Sequence, residues 1–372
     1  MKHLLLGVVV ASSLAGSAHA QTKLRVDVSD YGAVGDGSTD DTSAIQSAVD
    51  THGAATVYLP PGTYLLDGTV TIYGGQELVG DSATLLTKRT DGTSSAQRVM
   101  ISADGPASDI TVRGLRFEDA GSGFNTPIFL NGTNGAFERV TVDGCEFVNF
   151  SGYAIRHAGT EQNLGRDFAY TDNTHRDCRY TCANISHWRG VVVSGNRFYN
   201  GGIADGQWNI YSSSNVSDAV YNGNVFVGGR GGLKISSSTT SHRKIVVSNN
   251  TFSDVDNNAM VIGAVQGGLV IAGNVIEAIT AVAGHVKFQG GVEGLVMTGN
   301  VVDFRGTTGT AFFWLELPEH AIVDGNMVYD GADPEDQGSL GHKFCYRTLD
   351  PDHPRFMFGD NAAFDCVEYL GF

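Results

Sequence analysis

The sequence predicts an all-β chain: a parallel β-helix of about ten coils, closed at its N-terminal end by one short helix. Three observations carry this expectation. Glycine accounts for 49 of 372 residues and proline for only 8, so the chain turns often yet stays folded. A short phrase, apolar-x-Gly-Asn-x-apolar, recurs at nearly constant spacing. Between its occurrences apolar and polar residues alternate with period two, as in Gly232-Leu233-Lys234-Ile235-Ser236.

The phrase is clearest at Val193-Ser194-Gly195-Asn196-Arg197-Phe198 and recurs around Asn224, Asn250, Asn274, Asn300 and Asn326, at spacings of 28, 26, 24, 26 and 26 residues. Earlier, Arg116-Phe117 and Glu146-Phe147 end related phrases, with Leu115 and Cys145 at the Asn position. The step from Cys145 to Asn196 is 51 residues, which reads as one repeat plus an insertion. Each repeat has room for about three short strands joined by Gly, Asn, Ser and Asp turns. One such unit cannot bury its apolar face, but stacked units can, and stacking pairs the backbone from rung to rung. The repeated Asn then lies on its own copies, which satisfies its buried amide. A propeller would need a repeat of about 40 residues or more.

A solenoid end exposes core and needs a cap. Thr39-Asp40-Asp41-Thr42 leads into Ser43-Ala44-Ile45-Gln46-Ser47-Ala48-Val49, an amphipathic helix with a capping signal, within a cap region spanning 27–54. Residues 1–20 read as a secretory signal. Lys2 starts it, an apolar run follows from Leu4 to Ala15, and Ala18-His19-Ala20 supplies the cleavage site. The remainder, 21–372, is one β-helix domain, with 331–372 as its C-terminal end region. The apolar run is too short to span a bilayer. The chain is expected to be secreted or periplasmic, monomeric and without a membrane partner. Its formal charge of −16 argues against nucleic acid, because nothing would offset repulsion from phosphate.

In an oxidising compartment the five cysteines are expected as Cys178–Cys182 and Cys345–Cys366 disulfides, with Cys145 free. Cys178-x-x-x-Cys182 with His175 and His187 nearby could be half a zinc site. The second ligand pair that makes such motifs specific is missing, so no metal is expected.

The N-terminal segment resembles the pectate-lyase-like superfamily. Asp30-Tyr31-Gly32-Ala33-Val34-Gly35-Asp36-Gly37, then Thr39-Asp40-Asp41-Thr42 and Ala44-Ile45-Gln46, resembles its opening, and Tyr58-Leu59-Pro60-Pro61-Gly62-Thr63-Tyr64 its first coil. The motif covers residues 27–66, and the Asn coils extend the resemblance to about 330. It implies a right-handed β-helix. It does not imply one reaction, since the superfamily includes lyases, hydrolases, epimerases and phage tailspikes.

Aligning the coils on the Asn phrase predicts an exterior column on the strand that precedes each phrase's own strand: Phe129, Arg156, Tyr211, Lys234, Val261, Lys287 and Trp314, on rungs about 4.8 Å apart. Gln289 lies two residues beyond Lys287, and Asn209 and His285 two residues before their column members. A solvated face on an acidic protein should carry Asp and Glu. This one carries cations and aromatics, which suit an anionic sugar chain, and in the superfamily the outer face of this strand commonly lines the substrate groove. Residues 160–190 are expected as a loop insertion flanking it, with His175, Arg176, Arg179 and Tyr180 as substrate contacts.

These residues fit β-elimination on a uronic-acid polysaccharide, alginate-like or pectate-like. A cation on the carboxylate stabilises the enolate-like transition state. Arg156, with its bidentate fork, is assigned that role. Tyr211 and Lys234 are the proton-transfer pair, with base and acid not assigned between them. Arg156 and Lys287 are expected to depress the Lys234 pKa by like-charge repulsion. No acidic cluster accompanies the column, so calcium is not expected. The alternatives are a glycoside hydrolase, which needs two carboxyl groups about 5–9.5 Å apart, and a non-catalytic carbohydrate-binding protein. Asp205, Asp218 and Glu316 lie near the face but form no rung-adjacent pair.

Overall fold

The computed structural model describes residues 24–51, 53, 55–93, 97–237, 242–277, 286–303, 311–315, 321–329, 344–348, 356–358 and 362–364. They form a parallel β-solenoid of about 10 turns with a single α-helix. Each central coil contributes three strands. A long one such as Trp188–Ser194 precedes the Asn turn, a short one such as Arg197–Tyr199 follows it, and a third such as Ile210–Ser212 completes the circuit. Every strand pairs in parallel with its counterpart one coil away, for example Ile210 with Leu233 and Phe198 with Phe226.

The long strands bend partway along. Arg139, Asp167, Gly190, Asp218 and Lys244 take positive φ at equivalent positions, which interrupts the in-out alternation. Asp and Asn tolerate this conformation better than most residues; Arg139 and Lys244 adopt it at some cost.

The Asn turns behave as the repeat requires. Each Asn side-chain oxygen accepts both the backbone N–H and the side-chain N–H of the Asn one coil earlier. Asn196 donates to Asn224 at 3.1 and 2.9 Å, and Asn224 to Asn250 at 2.9 and 2.9 Å. The same amide also donates to a main-chain carbonyl, Val193 in the case of Asn224. The ladder runs unbroken from Asn173 to Asn326 and leaves these fully buried amides satisfied. Beside it runs an aromatic stack. Phe117, Phe147, His175, Phe198, Phe226 and Phe252 lie with centroids 4.6–5.2 Å apart.

The stretch 160–190 is not a loop insertion. Gly165–Thr171, Thr174–Arg176 and Ala183–Ile185 make a complete coil, paired with the coils on both sides. The 51-residue step is therefore two repeats, 28 to Asn173 and 23 more to Asn196. The disguise is chemical: Asp172 replaces the usual Gly before the ladder Asn and takes φ 54° in its place.

Helix Thr42–Thr51 buries Ile45, Ala48 and Val49 against the first coil. Asp40 supplies the cap, accepting from Thr42 N at 3.0 Å. Asp41 has another task. Its buried carboxylate accepts from Val34 N and Gly35 N at 2.7 and 3.1 Å and so anchors the preceding loop. Gln46 ties the helix to Thr71 through both N–H and C=O. No helix among the described residues is long and apolar enough to cross a membrane.

Cys145, Cys178 and Cys182 are buried free thiols, so the expected Cys178–Cys182 bond is not present. The expected Cys345–Cys366 pair lies outside the residues whose side chains are described.

Candidate active site

The third strands of successive coils bring one position each into a single register column. The register runs Phe129, Arg156, Asn184, Tyr211, Lys234, Val261, Lys287, Trp314. Tyr211 and Lys234 are direct register neighbours, as expected. Arg156 is not beside Tyr211: the extra coil inserts Asn184 between them. Val261, buried to 4 % exposure, separates Lys234 from Lys287 and closes the polar stretch on that side.

Lys234 is cradled by aromatic rings. Its Nζ lies 4.8 Å from the Tyr211 ring centroid and 5.7 Å from that of Trp208. Burial alone pushes the Lys234 pKa down and the Tyr211 pKa up. The expected like-charge repulsion from Arg156 and Lys287 does not contribute. The physical reason is distance: Arg156 stands three rungs away and Lys287 two, each rung about 4.8 Å.

Arg156 lies over Phe129 at 5.6 Å and over Tyr153 at 5.3 Å. Tyr153 packs edge-on against Tyr180 at 4.9 Å, and Tyr180 against Phe124 at 5.1 Å. Its hydroxyl is pushed up to about 12, first by burial and then by Tyr180, against the opposing pull of Arg156. Tyr211 also contributes to that shift, so Tyr153 sits electrostatically between Arg156 and Tyr211. A phenol so placed stays protonated at neutral pH and keeps its O–H as a donor.

Arg179 and Tyr180 lie in the turn between Thr174–Arg176 and Ala183–Ile185. With Phe124, Ser151 and Thr93 they line a cleft of about 380 Å³, and Tyr180 is the wall nearest Tyr153.

Three expected contacts do not face the groove. His175 is fully buried in the aromatic stack, because it occupies the position filled by Phe in neighbouring coils. Asn209 is fully buried and donates to Gly231 O at 2.9 Å; the chain turns just before Ile210, so strand alternation does not extend to it. Arg176 lies on the short strand after the Asn turn, paired with Glu146 at 3.0 Å and stacked on Tyr199 at 4.8 Å. His285 lies outside the described residues. Gln289 and Trp314 are placed by register, opposite Gly263 and Lys287.

Tyr153, Asn184 and Trp208 are the residues that the sequence reading missed. Tyr153 and Trp208 share one position, three residues before Arg156 and Tyr211 respectively, so an aromatic rim was legible there. Asn184 was hidden by the misread insertion. Carboxylates do not assemble on the column among the described residues. Asp205 pairs with Arg230, and Asp218 with Arg189 at 2.9 Å and Lys244 at 3.6 Å.

Residues 25–114 match the family model of rhamnogalacturonase A/epimerase, pectate lyase-like proteins. Alginate lyase 7 of Azotobacter vinelandii is 36 % identical over 171 residues, 40 % of this chain and 20 % of that protein. Mannuronan C5-epimerase AlgE2 of the same organism is 34 % identical over 169 residues, 40 % of this chain and 17 % of that one. The alignments thus span a fifth or less of these two relatives' own length. Among solved structures, the A-module of Azotobacter vinelandii mannuronan C-5 epimerase AlgE4 superposes with a TM-score of 0.68 over 93 % of this chain and 97 % of that one, at 17 % identity. The opening segment thus resembles that pectate-lyase-like family, and the chain as a whole has the fold of a parallel β-helix.

Proposed function

We propose that the chain is a secreted enzyme that removes the proton α to the carboxylate of an alginate-type uronan and completes a β-elimination. The observation that carries this reading is the Lys234–Tyr211 pair: an amine whose burial favours its neutral form, directly beside a phenol whose burial keeps it protonated. Lys234 is the base and Tyr211 the acid.

The sugar C–H bond breaks toward the Lys234 amine. Its electron pair forms the C4=C5 double bond, the C4–O bond breaks, and the leaving oxygen takes the Tyr211 proton. The resulting ammonium and phenolate stand next to each other, which stabilises both until proton exchange resets them. The carboxylate that acidifies the proton is held by the Asn184 amide beside Tyr211 and by Arg156 one rung further, with Tyr153 donating from the rim. Arg156 thus supplies the charge without a metal ion, while Lys287 meets a carboxylate further along the chain. The alginate lyase and mannuronan epimerases among the relatives support a uronan as the substrate class.

A specific observation also favours epimerisation. Tyr153 is a second protonated phenol near the pair, and a donor on the opposite face could return a proton to the same carbon without expelling the 4-linked oxygen. Incubating the protein with polymannuronate, polyguluronate and pectate separates these outcomes. Elimination creates unsaturated ends that absorb in the ultraviolet, epimerisation changes sugar composition at constant chain length, and hydrolysis creates reducing ends without the absorbance.

A further inference from the structure

We propose that His175, Cys178, Cys182 and Asn209 form a closed structural zinc site inside the coil. All four side chains are fully buried. The His175 ring and both sulfurs place their donor atoms within 4.8 Å of one another. His175 Nδ1 lies 3.8 Å from Cys178 Sγ, and Cys182 Sγ lies 3.7 Å from Asn209 Oδ1. A tetrahedral zinc ion with sulfur ligands near 2.3 Å and nitrogen or oxygen ligands near 2.0–2.2 Å has donor–donor edges of roughly 3.4–3.8 Å. The His175–Cys178 and Cys182–Asn209 separations already match such edges.

Charge balance supports a divalent cation in this apolar setting. Two thiolates and one zinc ion sum to zero, so the core gains no net charge, whereas either thiolate alone would be costly. The neutral imidazole and the amide oxygen add donors without adding charge.

The surroundings are shaped for this arrangement. Tyr170 hydroxyl is hydrogen-bonded to His175 Nε2, the outer contact that fixes a ligating imidazole with its other nitrogen free. The stack of Phe147 and Phe198 on the two faces of His175 holds the ring plane. Gly201 leaves room for the set: a Cβ there would fall 1.9 Å from Asn209 Oδ1 and 2.5 Å from Cys182 Sγ. A disulfide between the two cysteines would instead leave Asn209 Oδ1 without its sulfhydryl donor. The site would tie Thr174–Arg176, its following turn and the next coil together, directly behind the strand that carries Asn184.

The test is metal content, which does not depend on activity. Full-length protein secreted from zinc-supplemented medium and dialysed should carry about one zinc ion per chain, with both thiols protected from alkylation until unfolding. Protein made with cobalt instead should show thiolate-to-cobalt charge-transfer absorbance. His175→Phe keeps an aromatic ring in the stack and should fold, but lose zinc at least about tenfold relative to wild type. Should that variant fail to fold, Cys182→Ser must show the same loss and no cobalt band. Wild-type protein with a Cys178–Cys182 disulfide, or with free thiols and no stoichiometric zinc, overturns the proposal, as does a folded variant that retains full zinc.

Discussion

The Lys234 ammonium nitrogen lies 4.8 Å from the centre of the Tyr211 ring, on adjacent rungs of one parallel strand column. The relationship is set by register: a shift of one residue in either coil would turn one of the two side chains inward. The Asn ladder holds that register, because each amide bonds only with the coil in phase.

The pH profile should follow from burial. Lys234 must be neutral to accept a proton, and its pKa lies below the ordinary lysine value of about 10.4, so turnover should rise with pH through that lowered pKa. Tyr211 must be protonated, and its pKa lies above about 10, so the falling limb should come later. Trp208→Ala admits water beside Lys234 and should move the rising limb to higher pH, measured as kcat against pH.

Removing either proton-transfer group should cut kcat by about 10²–10⁴-fold, as Lys234→Ala or Tyr211→Phe. Tyr211→Phe retains the ring under the lysine, so its KM should change little.

Carboxylate recognition should divide between two rungs. Asn184→Ala and Arg156→Ala should each lower kcat/KM, about tenfold or more, as expected for lost hydrogen bonds to a charged group. Added salt should raise KM for wild type, and less so for Arg156→Ala, because part of the groove's screened attraction is then gone.

The ladder should be the most sensitive part of the scaffold. Asn224→Ala strips two donors of Asn196 of their acceptor and Val193 O of its donor. Each unsatisfied buried group costs about 1–3 kcal/mol, so the variant should lose several kcal/mol in thermal or denaturant unfolding.

Acid should destabilise the fold through its buried histidines. Burial lowers His157 and His242 to about 4 each, against about 6.5 when unfolded. The unfolded chain therefore binds more protons between these values, and stability falls as pH drops from about 6.5 to about 4. His157→Leu, which matches Leu130 and Ile185 in its column, should flatten this slope by about 3 kcal/mol across the window, read from denaturation midpoints at pH 7 and pH 4.

How much of this was legible in the sequence follows from where the repeat stayed regular. Asn196 to Asn326 announced the coils because each buried amide there bonds to the Asn of the next coil at the same turn. The adjacency of Tyr211 and Lys234 came directly from the same spacing. At Asp172-Asn173 the glycine was replaced by another residue able to take positive φ, so the pattern broke while the fold continued. That one miss turned a coil into a loop, hid Asn184 and exposed His175 on paper. Asn209 was misplaced for a different reason: period two describes strands, and the turn before Ile210 resets it. Tyr153 and Trp208 lie in turns, where only the coil-to-coil alignment could have found them.

Proton abstraction at the carbon next to the carboxylate is most directly tested by proton NMR of polymannuronate treated with the protein in deuterated water. The account predicts loss of the H-5 signal with the appearance of unsaturated ends, and loss of both changes with Lys234→Ala. Chain cleavage with every H-5 proton retained would contradict it and assign the groove to a hydrolase.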